Sequence, residues 1–228
     1  RPGAGHMTTA ERPSVATLAL TLVTMVAFAG NSLLCRAALG RTGIDPASFT
    51  TIRLLSGALV LWLIALMRAG ARSGSGNWLS ASALFAYAAG FSFAYVQLPA
   101  ATGALILFGA VQITMIGHGI WSGERLGKAQ TAGLLLACGG LLALLLPGLS
   151  APPLASAVLM LGAGIAWGIY SLRGRNAGDP LQVTAGNFLR ATPIALVLSL
   201  LLSGNTAMDS NGIYYAVLSG ALASGAGY

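Results

Sequence analysis

The sequence predicts an all-α membrane protein with a ten-helix fold made of two inverted five-helix repeats (5+5), of which eight helices lie in this chain. The first observation is that apolar runs recur eight times, each near the ~20 residues that a helix needs to cross a bilayer. The second is composition, since 56% of the 228 residues are hydrophobic, 7% are charged and the mean hydropathy is +0.78. The third is a similarity between the two ends of the chain. A soluble domain carries roughly 25% charged residues, so that class is excluded.

Short polar breaks that contain helix-start and helix-stop residues separate the eight apolar runs. Asp45-Pro46 and Asp179-Pro180 are each expected to start a helix, because Pro suits the first helical position and Asp can cap it. The loops are short, so consecutive helices should be antiparallel neighbours. The predicted membrane spans are 14–38, 47–67, 78–98, 101–121, 128–147, 153–173, 181–203 and 211–228.

Basic residues predict the orientation of the chain in the membrane. A net charge of +7 would suggest a nucleic-acid partner for a soluble protein, but here most basic residues fall in loops, so no nucleic acid is expected. One side of the membrane holds Arg36 and Arg41, and Arg53 and Arg190 are assigned to neither loop. The other side holds Arg12, Arg68, Arg72, Arg125, Lys128, Arg173 and Arg175. This excess predicts a multi-pass protein of the cell inner (plasma) membrane with a cytoplasmic N-terminus.

The two ends of the chain carry similar motifs in the same order. Residues 28–31 with Arg36 correspond to residues 167–170 with Arg175, and the two Asp-Pro pairs correspond to each other. A single constant shift would instead pair Arg53 with Arg190, but it separates the turn motifs. The repeat unit is five helices, an odd number, so the second copy should be inverted in the membrane, as in many secondary transporters.

These correspondences predict how the chain is divided. Residues 1–6 read as the remnant of a tag and residues 7–13 as the cytoplasmic N-terminus. Residues 14–148 form the first five-helix repeat, and residues 149–228 form the first three helices of the inverted second repeat. We therefore expect the chain to be truncated, with two further helices missing.

These motifs together resemble the EamA-type exporters of the drug/metabolite transporter superfamily over roughly residues 16–228. The resemblance rests on Gly30-Asn31 with Arg36, on Trp167-Gly168, on the run 123–126 that closes helix four, and on two glycines seven apart in helix five. One departure is the run 110–113, which stands where the family often has a proline midway along helix four.

The resemblance implies a ten-helix transporter that exports small organic metabolites by alternating access. Within the family the chain resembles the aromatic amino-acid exporters of the YddG type, which implies aromatic or neutral amino acids as substrates. A drug carrier or a nucleotide-sugar carrier of the same superfamily is the alternative. The expected partners are a small-molecule substrate and the lipid bilayer, and we expect a monomer.

Polar residues inside spans are candidates for function, because polar groups are costly in hydrocarbon and usually face the protein interior. Asn31 could bind substrate or could cap the backbone carbonyls of a neighbouring helix. Gln112 could line a cavity or make a hydrogen bond between helices. His118, near the cytoplasmic end of helix four, could be a structural residue at the membrane interface or a proton carrier.

Aromatic residues in helices three and six are the other candidates. Phe91 and Tyr95 are four residues apart on one helix face and Tyr87 lies one turn earlier, so the three rings could stack on a flat substrate. Lipid contact or anchoring at the membrane interface is the alternative for these rings. Trp167 and Tyr170 lie in mid-span, where anchoring explains nothing. The predicted substrate site is Asn31, Tyr87, Phe91, Tyr95, Gln112, Trp167 and Tyr170, with His118 as the candidate for coupling.

The ionisable residues of the sequence argue against an enzyme. The sequence shows no paired nucleophile and base and no metal-ligand spacing, so we expect no catalytic residue, no metal and no cofactor. A membrane-embedded enzyme remains the alternative. The carboxylates, which proton-driven carriers use in mid-membrane, fall in the N-terminal tail, loops or span ends. They are Glu11, Asp45, Glu124, Asp179 and Asp209. A facilitator without proton coupling is therefore expected.

Overall fold

The computed structural model describes residues 15–69, 75–145, 152–202 and 208–226. The predicted tag remnant and N-terminal segment lie outside these described residues. Within the described ranges the chain forms eight α-helices, one for each predicted span. They are α1 (Val15–Arg41), α2 (Pro46–Ala69), α3 (Trp78–Tyr95), α4 (Ala100–Trp121), α5 (Lys128–Leu145), α6 (Leu154–Gly174), α7 (Pro180–Leu201) and α8 (Ser210–Ala226).

Five of these helices are long and apolar enough to cross a membrane, judged by length and composition: α1, α2, α4, α6 and α7. This finding agrees with the predicted class, an all-α membrane protein. The other three helices have 18, 18 and 17 residues, at the lower end of the ~17–25 residues needed for a crossing. Crossings by α3, α5 and α8 therefore stay predictions.

Carboxylates and an amide cap the starts of the helices, as the Asp-Pro pairs indicated. The Oδ1 atom of Asp45 accepts hydrogen bonds from the backbone N–H groups of residues 47 and 48, at 3.0 and 2.9 Å. The Oδ1 atom of Asp179 accepts one from the N–H of Leu181 at 3.0 Å. Asn77 caps α3 in the same way, through Ser80 N at 2.8 Å. These bonds satisfy backbone donors that a helix start leaves without intrahelical partners.

The packing of the helices supports the internal repeat. Besides α4 with α6, the helix pairs in closest contact are α3 with α6, α1 with α8, α2 with α7, α2 with α8 and α3 with α7. If α1, α2 and α3 are exchanged for α6, α7 and α8, the pair α3–α6 becomes α8–α1 and the pair α2–α8 becomes α7–α3. The pair α2–α7 is unchanged. Two copies related by a two-fold axis between α2 and α7 would produce this pattern. The inversion of the copies in the membrane and the ten-helix total stay predictions.

Small residues let α6 pack closely on two neighbours. A Cβ atom on Gly164 would lie 2.6 Å from the carbonyl oxygen of Leu107, and one on Gly168 would lie 2.8 Å from the Cβ of Thr114. Both contacts join α6 to α4. On α3, a Cβ atom on Gly90 would lie 3.0 Å from a backbone oxygen of α6. These three glycines therefore allow α6 to approach α4 and α3 closely.

Candidate functional site

Five of the predicted aromatic residues form one continuous row between α3 and α6. Successive ring centroids lie 4.6 Å apart for Tyr95 and Phe91, 5.4 Å for Phe91 and Tyr87, and 4.5 Å for Tyr87 and Trp167. The last step, from Trp167 to Tyr170, is 5.7 Å. All four distances fall in the range of favourable aromatic contacts. The i, i+4 spacing on α3 places Tyr87, Phe91 and Tyr95 on one face, and α6 supplies the remaining two rings.

Part of this row lines a small central cavity of about 20 Å³. Its walls come from four helices, α1, α3, α4 and α6. They are formed by Phe28, Asn31, Ser32, Tyr87, Phe91 and Trp167, together with Leu107 and Phe108. Tyr95 is fully buried beneath Phe91, with its hydroxyl donating to the carbonyl of Ala100 at 3.2 Å. Tyr95 therefore supports the wall from behind.

Asn31 joins the cavity wall to α8. Its Oδ1 atom accepts a hydrogen bond from the hydroxyl of Ser219 at 2.6 Å, and the thiol of Cys35 lies 3.5 Å from the same hydroxyl. All three side chains are buried. This bond uses the amide oxygen, whereas capping of a backbone carbonyl would use the amide nitrogen, so the capping alternative for Asn31 stays a prediction. The same residue also lines the cavity, so it could reach a solute there.

Arg53 is the main residue that sequence reasoning missed. It lies in the second turn of α2 and is 5% exposed. Its Nη2 group donates to the hydroxyl of Tyr87 at 3.1 Å, and its Cζ atom lies 5.3 Å and 4.9 Å from the ring centroids of Tyr87 and Phe91. A guanidinium within about 6 Å of a ring face is attracted to it. Arg53 therefore holds two of the predicted rings in place from behind the cavity.

Two predicted residues are not brought to this cluster. Gln112 is exposed on α4 and lines a different, largely apolar cavity of about 300 Å³ between α4 and α5. Phe108, one turn earlier, borders both cavities, so Gln112 lies on the α5 side of the helix. His118 is exposed near the end of α4, and its Nδ1 atom lies 3.5 Å from the hydroxyl of Ser122. Neither side chain lines the central cavity.

A second cavity of about 180 Å³ lies at the end of the bundle where α3 and α7 begin and α6 ends. Its lining includes Ser80, Trp167, Tyr170, Arg173, Thr184 and Asn187. Trp167 also lines the central cavity, so its side chain separates the two spaces. By the predicted orientation this end faces the cytoplasm. The row of rings therefore runs from the central cavity to this second one.

No group of three or more His, Cys, Asp or Glu side chains that could hold a metal ion occurs among the described residues. The chemistry of the two cavities is that of rings, hydroxyls, amides and guanidinium groups. Such groups bind and orient a solute through stacking and hydrogen bonds.

Among the described residues, eight helices, five of them suited to cross a bilayer, form a polytopic helical membrane protein, and two of its internal cavities share Trp167 as a wall. A family model of EamA-like transporters matches residues 15–146, which cover α1 to α5 and more than half of the chain. The chain belongs to the EamA-like transporter family, and its class is that of a membrane transporter. This agrees with the resemblance to the drug/metabolite transporter superfamily.

Two further similarities concern whole chains. The uncharacterized protein PA1977 of Pseudomonas aeruginosa is 60% identical over 217 residues, which cover 95% of this chain and 76% of that protein. A solved structure, described only as the crystal structure of a protein, superposes with a TM-score of 0.67 at 20% identity. It covers 92% of this chain and 77% of its own. At that identity the second similarity shows the fold alone.

Proposed function

We propose that this transporter is a facilitator that carries small solutes with a flat ring, aromatic or neutral amino acids, across the cell inner membrane by alternating access. The observation that carries the proposal is the central cavity, where Tyr87, Phe91 and Trp167 present rings and Asn31 presents an amide. Ring faces hold a flat solute and the amide orients its polar end. A facilitator moves its solute down the concentration gradient, so it exports a solute that is more concentrated in the cytoplasm.

The volume of the central cavity supports the proposed alternating-access cycle, because it is too small for a solute. A cavity of about 20 Å³ has room for about one water molecule, whereas a cavity of about 150 Å³ holds benzene. The structure therefore corresponds to a closed central site, in which the rings contact one another. Solute binding requires a second arrangement in which the walls separate. A carrier that exposes its site to one side at a time passes through such a closed state.

The positions of the carboxylates favour a facilitator over a proton-driven carrier. Asp45, Asp179 and Asp209 all accept hydrogen bonds from backbone N–H groups at the first turns of helices. Glu124 follows the end of α4. Proton-coupled carriers commonly use a carboxylate inside the membrane that exchanges a proton during the cycle. These four side chains lie at helix ends, away from the central cavity.

Replacing Trp167 by Ala tests the central site. The substitution removes the ring contacts to Tyr87 and Tyr170, each worth about 0.5–1.5 kcal/mol beyond burial. Uptake of radiolabelled phenylalanine and tryptophan into proteoliposomes should fall by about tenfold or more, which corresponds to 1.4 kcal/mol. The assay also includes a nucleotide sugar, because carriers for such solutes belong to the same superfamily.

The matched control is Trp121→Ala, because Trp121 is 93% exposed at the end of α4 and has no part in either cavity. Its uptake rate should equal that of the unchanged protein. Normal uptake by Trp167→Ala in correctly folded protein would contradict the assignment of the central cavity. Uptake of the nucleotide sugar but not of amino acids would contradict the proposed substrate class.

A further inference from the structure

The second cavity has one guanidinium group and no acidic side chain among the described residues that line it. Arg173 comes from the last turn of α6, and two polar residues, Thr184 and Asn187, come from the start of α7. Tyr170 and Trp167 lie about one and two turns before Arg173 on α6. The cavity is therefore aromatic at its inner end and positively charged at its outer end.

Two hydrogen bonds hold the guanidinium of Arg173 in a fixed orientation. Its Nε group donates to the hydroxyl of Ser80 at 3.1 Å, and its Nη2 group donates to the Oδ1 atom of Asn77 at 3.2 Å. An arginine side chain has five N–H donors in a rigid fork. The bonds to α3 use one edge of that fork, so the Nη1 side remains for a ligand. A pre-oriented guanidinium loses less entropy when it binds an oxyanion.

Two further polar side chains in the cavity have donors to spare. Thr184 is 5% exposed and Asn187 is 2% exposed. The Oδ1 atom of Asn187 accepts a bond from the N–H of Asn77 at 2.9 Å. Both side chains line the cavity, and no hydrogen bond within the described part of the chain uses the Asn187 amide nitrogen or the Thr184 hydroxyl. An amide N–H and a hydroxyl that face a cavity can donate to a bound solute.

We infer that this second cavity binds the carboxylate of a ring-bearing solute, with Arg173 as the principal contact and Thr184 and Asn187 as donors. The inference rests on the proposed function, because it names the chemical class of solute on the same path. A volume of about 180 Å³ exceeds the ~150 Å³ that holds benzene, so a ring and a small head group fit. The ring lies against Trp167 and Tyr170. The substrates are then ring-bearing monocarboxylates, including zwitterionic amino acids.

Direct binding to the purified full chain in detergent micelles tests this assignment. Three probes share a phenyl ring: L-phenylalanine, 3-phenylpropionate, which has a carboxylate without an amine, and phenethylamine, which has an amine without a carboxylate. Calorimetry should show that both carboxylates bind more tightly than phenethylamine, by about tenfold or more, as expected for hydrogen bonds to a charged group. Equal affinities for the three probes would overturn the assignment.

Arg173→Gln should abolish this preference by weakening the two carboxylates, while the affinity for phenethylamine stays the same. Arg173→Lys keeps the charge and should restore most of the preference. Arg125→Gln is the matched control, since Arg125 is an exposed basic residue outside the cavity lining, and should change nothing. A merely structural role for Arg173 would lower the fraction of folded protein without changing the ratio of affinities. An unchanged ratio in folded Arg173→Gln protein would overturn the inference.

Thr184→Val provides an independent second test if Arg173→Gln fails to fold. It should weaken carboxylate binding by about threefold or more through loss of one hydrogen bond, and leave phenethylamine binding unchanged. No change in that ratio would overturn the inference. The uptake assay distinguishes a failure of the proposed transport function from a failure of the inferred carboxylate site. If proteoliposomes transport none of the three probes although the carboxylates bind, the facilitator role fails while the binding site stands.

Discussion

The contact between Arg53 and Tyr87 permits a quantitative test of how the central cavity is held together. Tyr87→Phe removes only the hydroxyl that accepts from Nη2 of Arg53 at 3.1 Å. The ring stays in contact with Trp167 and Phe91, so the cavity wall keeps its shape. Hydrogen bonds to charged groups contribute about 1.5–3 kcal/mol. Hydrogen bonds between membrane helices average only about 0.6 kcal/mol and reach about 1.7 kcal/mol.

The single variant Arg53→Met does not decide between these values. Replacing a buried charge by an apolar side chain of similar size is often neutral or stabilising, because the cost of desolvating the charge disappears. A double-mutant cycle over Tyr87→Phe, Arg53→Met and the combined variant isolates the coupling between the two side chains. We expect a coupling free energy of about 1.5 kcal/mol, because the donor is charged and almost fully buried.

The assay is equilibrium unfolding of purified protein in mixed detergent and SDS micelles, followed by circular dichroism. Tyr214→Phe is the matched control, because the Tyr214 side chain is 60% exposed, and it should change the free energy of unfolding by less than about 0.5 kcal/mol. A coupling of about 0.6 kcal/mol or less would match an ordinary hydrogen bond between membrane helices. That result would refute the argument that a charge-assisted hydrogen bond from Arg53 holds Tyr87 in place.

Three further outcomes are expected. Gly168→Ala should destabilise the protein by about 1–3 kcal/mol, because its methyl group meets Thr114 on α4, and Thr114→Gly should restore part of the loss; thermal unfolding measures both. His118→Ala should leave the rate of proteoliposome uptake unchanged, with and without a pH gradient, because the His118 side chain is exposed and outside the central cavity. Loss of uptake would show that His118 takes part in coupling. In a cysteine-free background, a thiol at Gly43 should react with a membrane-impermeant reagent in intact cells and one at Asn176 should not; the reverse pattern would invert the orientation.

The sequence was sufficient to predict the helices because their signals are local. An apolar run near 20 residues and an Asp-Pro pair act within one or two turns, and α2 and α7 begin at Pro46 and Pro180 as expected. The aromatic face of α3 was also local, since residues four apart on a helix must share a face. The distances from Tyr87 to Phe91 and on to Tyr95 follow from that spacing.

The direction of a side chain around its helix was harder to predict than its depth. Gln112 lies at a depth suited to a central site, but each residue turns a helix by about 100°, and the face of α4 that meets α6 is set by tertiary packing. That face carries Leu107 and Ala110, which meet Gly164, so Gln112 points elsewhere. Depth alone therefore could not place Gln112 in the cavity.

Arg53 and Ser219 were missed for different reasons. Arg53 was considered only in the count of basic residues by membrane side and was assigned to neither loop, although a charged group inside an apolar segment usually faces the protein interior. That rule, applied to span 47–67, would have found it. Ser219 gives no signal in the sequence, because a serine in a membrane helix can bond its own backbone. Its bond to Asn31 depends on the packing of α8 against α1, which spans 188 positions of the chain.

Helix α6 links the two cavities because its two faces carry different residues. Gly164 and Gly168 form a small-residue face against α4, while Trp167, Tyr170 and Arg173 recur every three residues along the face that lines the second cavity. One rigid helix thus carries the shared wall, a stacking ring and the guanidinium. At Gly164 and Gly168, α6 approaches α4 closely without a side chain of its own between the two helices. A shift of α6 along this contact would move Trp167 away from Tyr87 and carry Arg173 with it, so opening of the central cavity and displacement of the carboxylate contact would occur in the same movement.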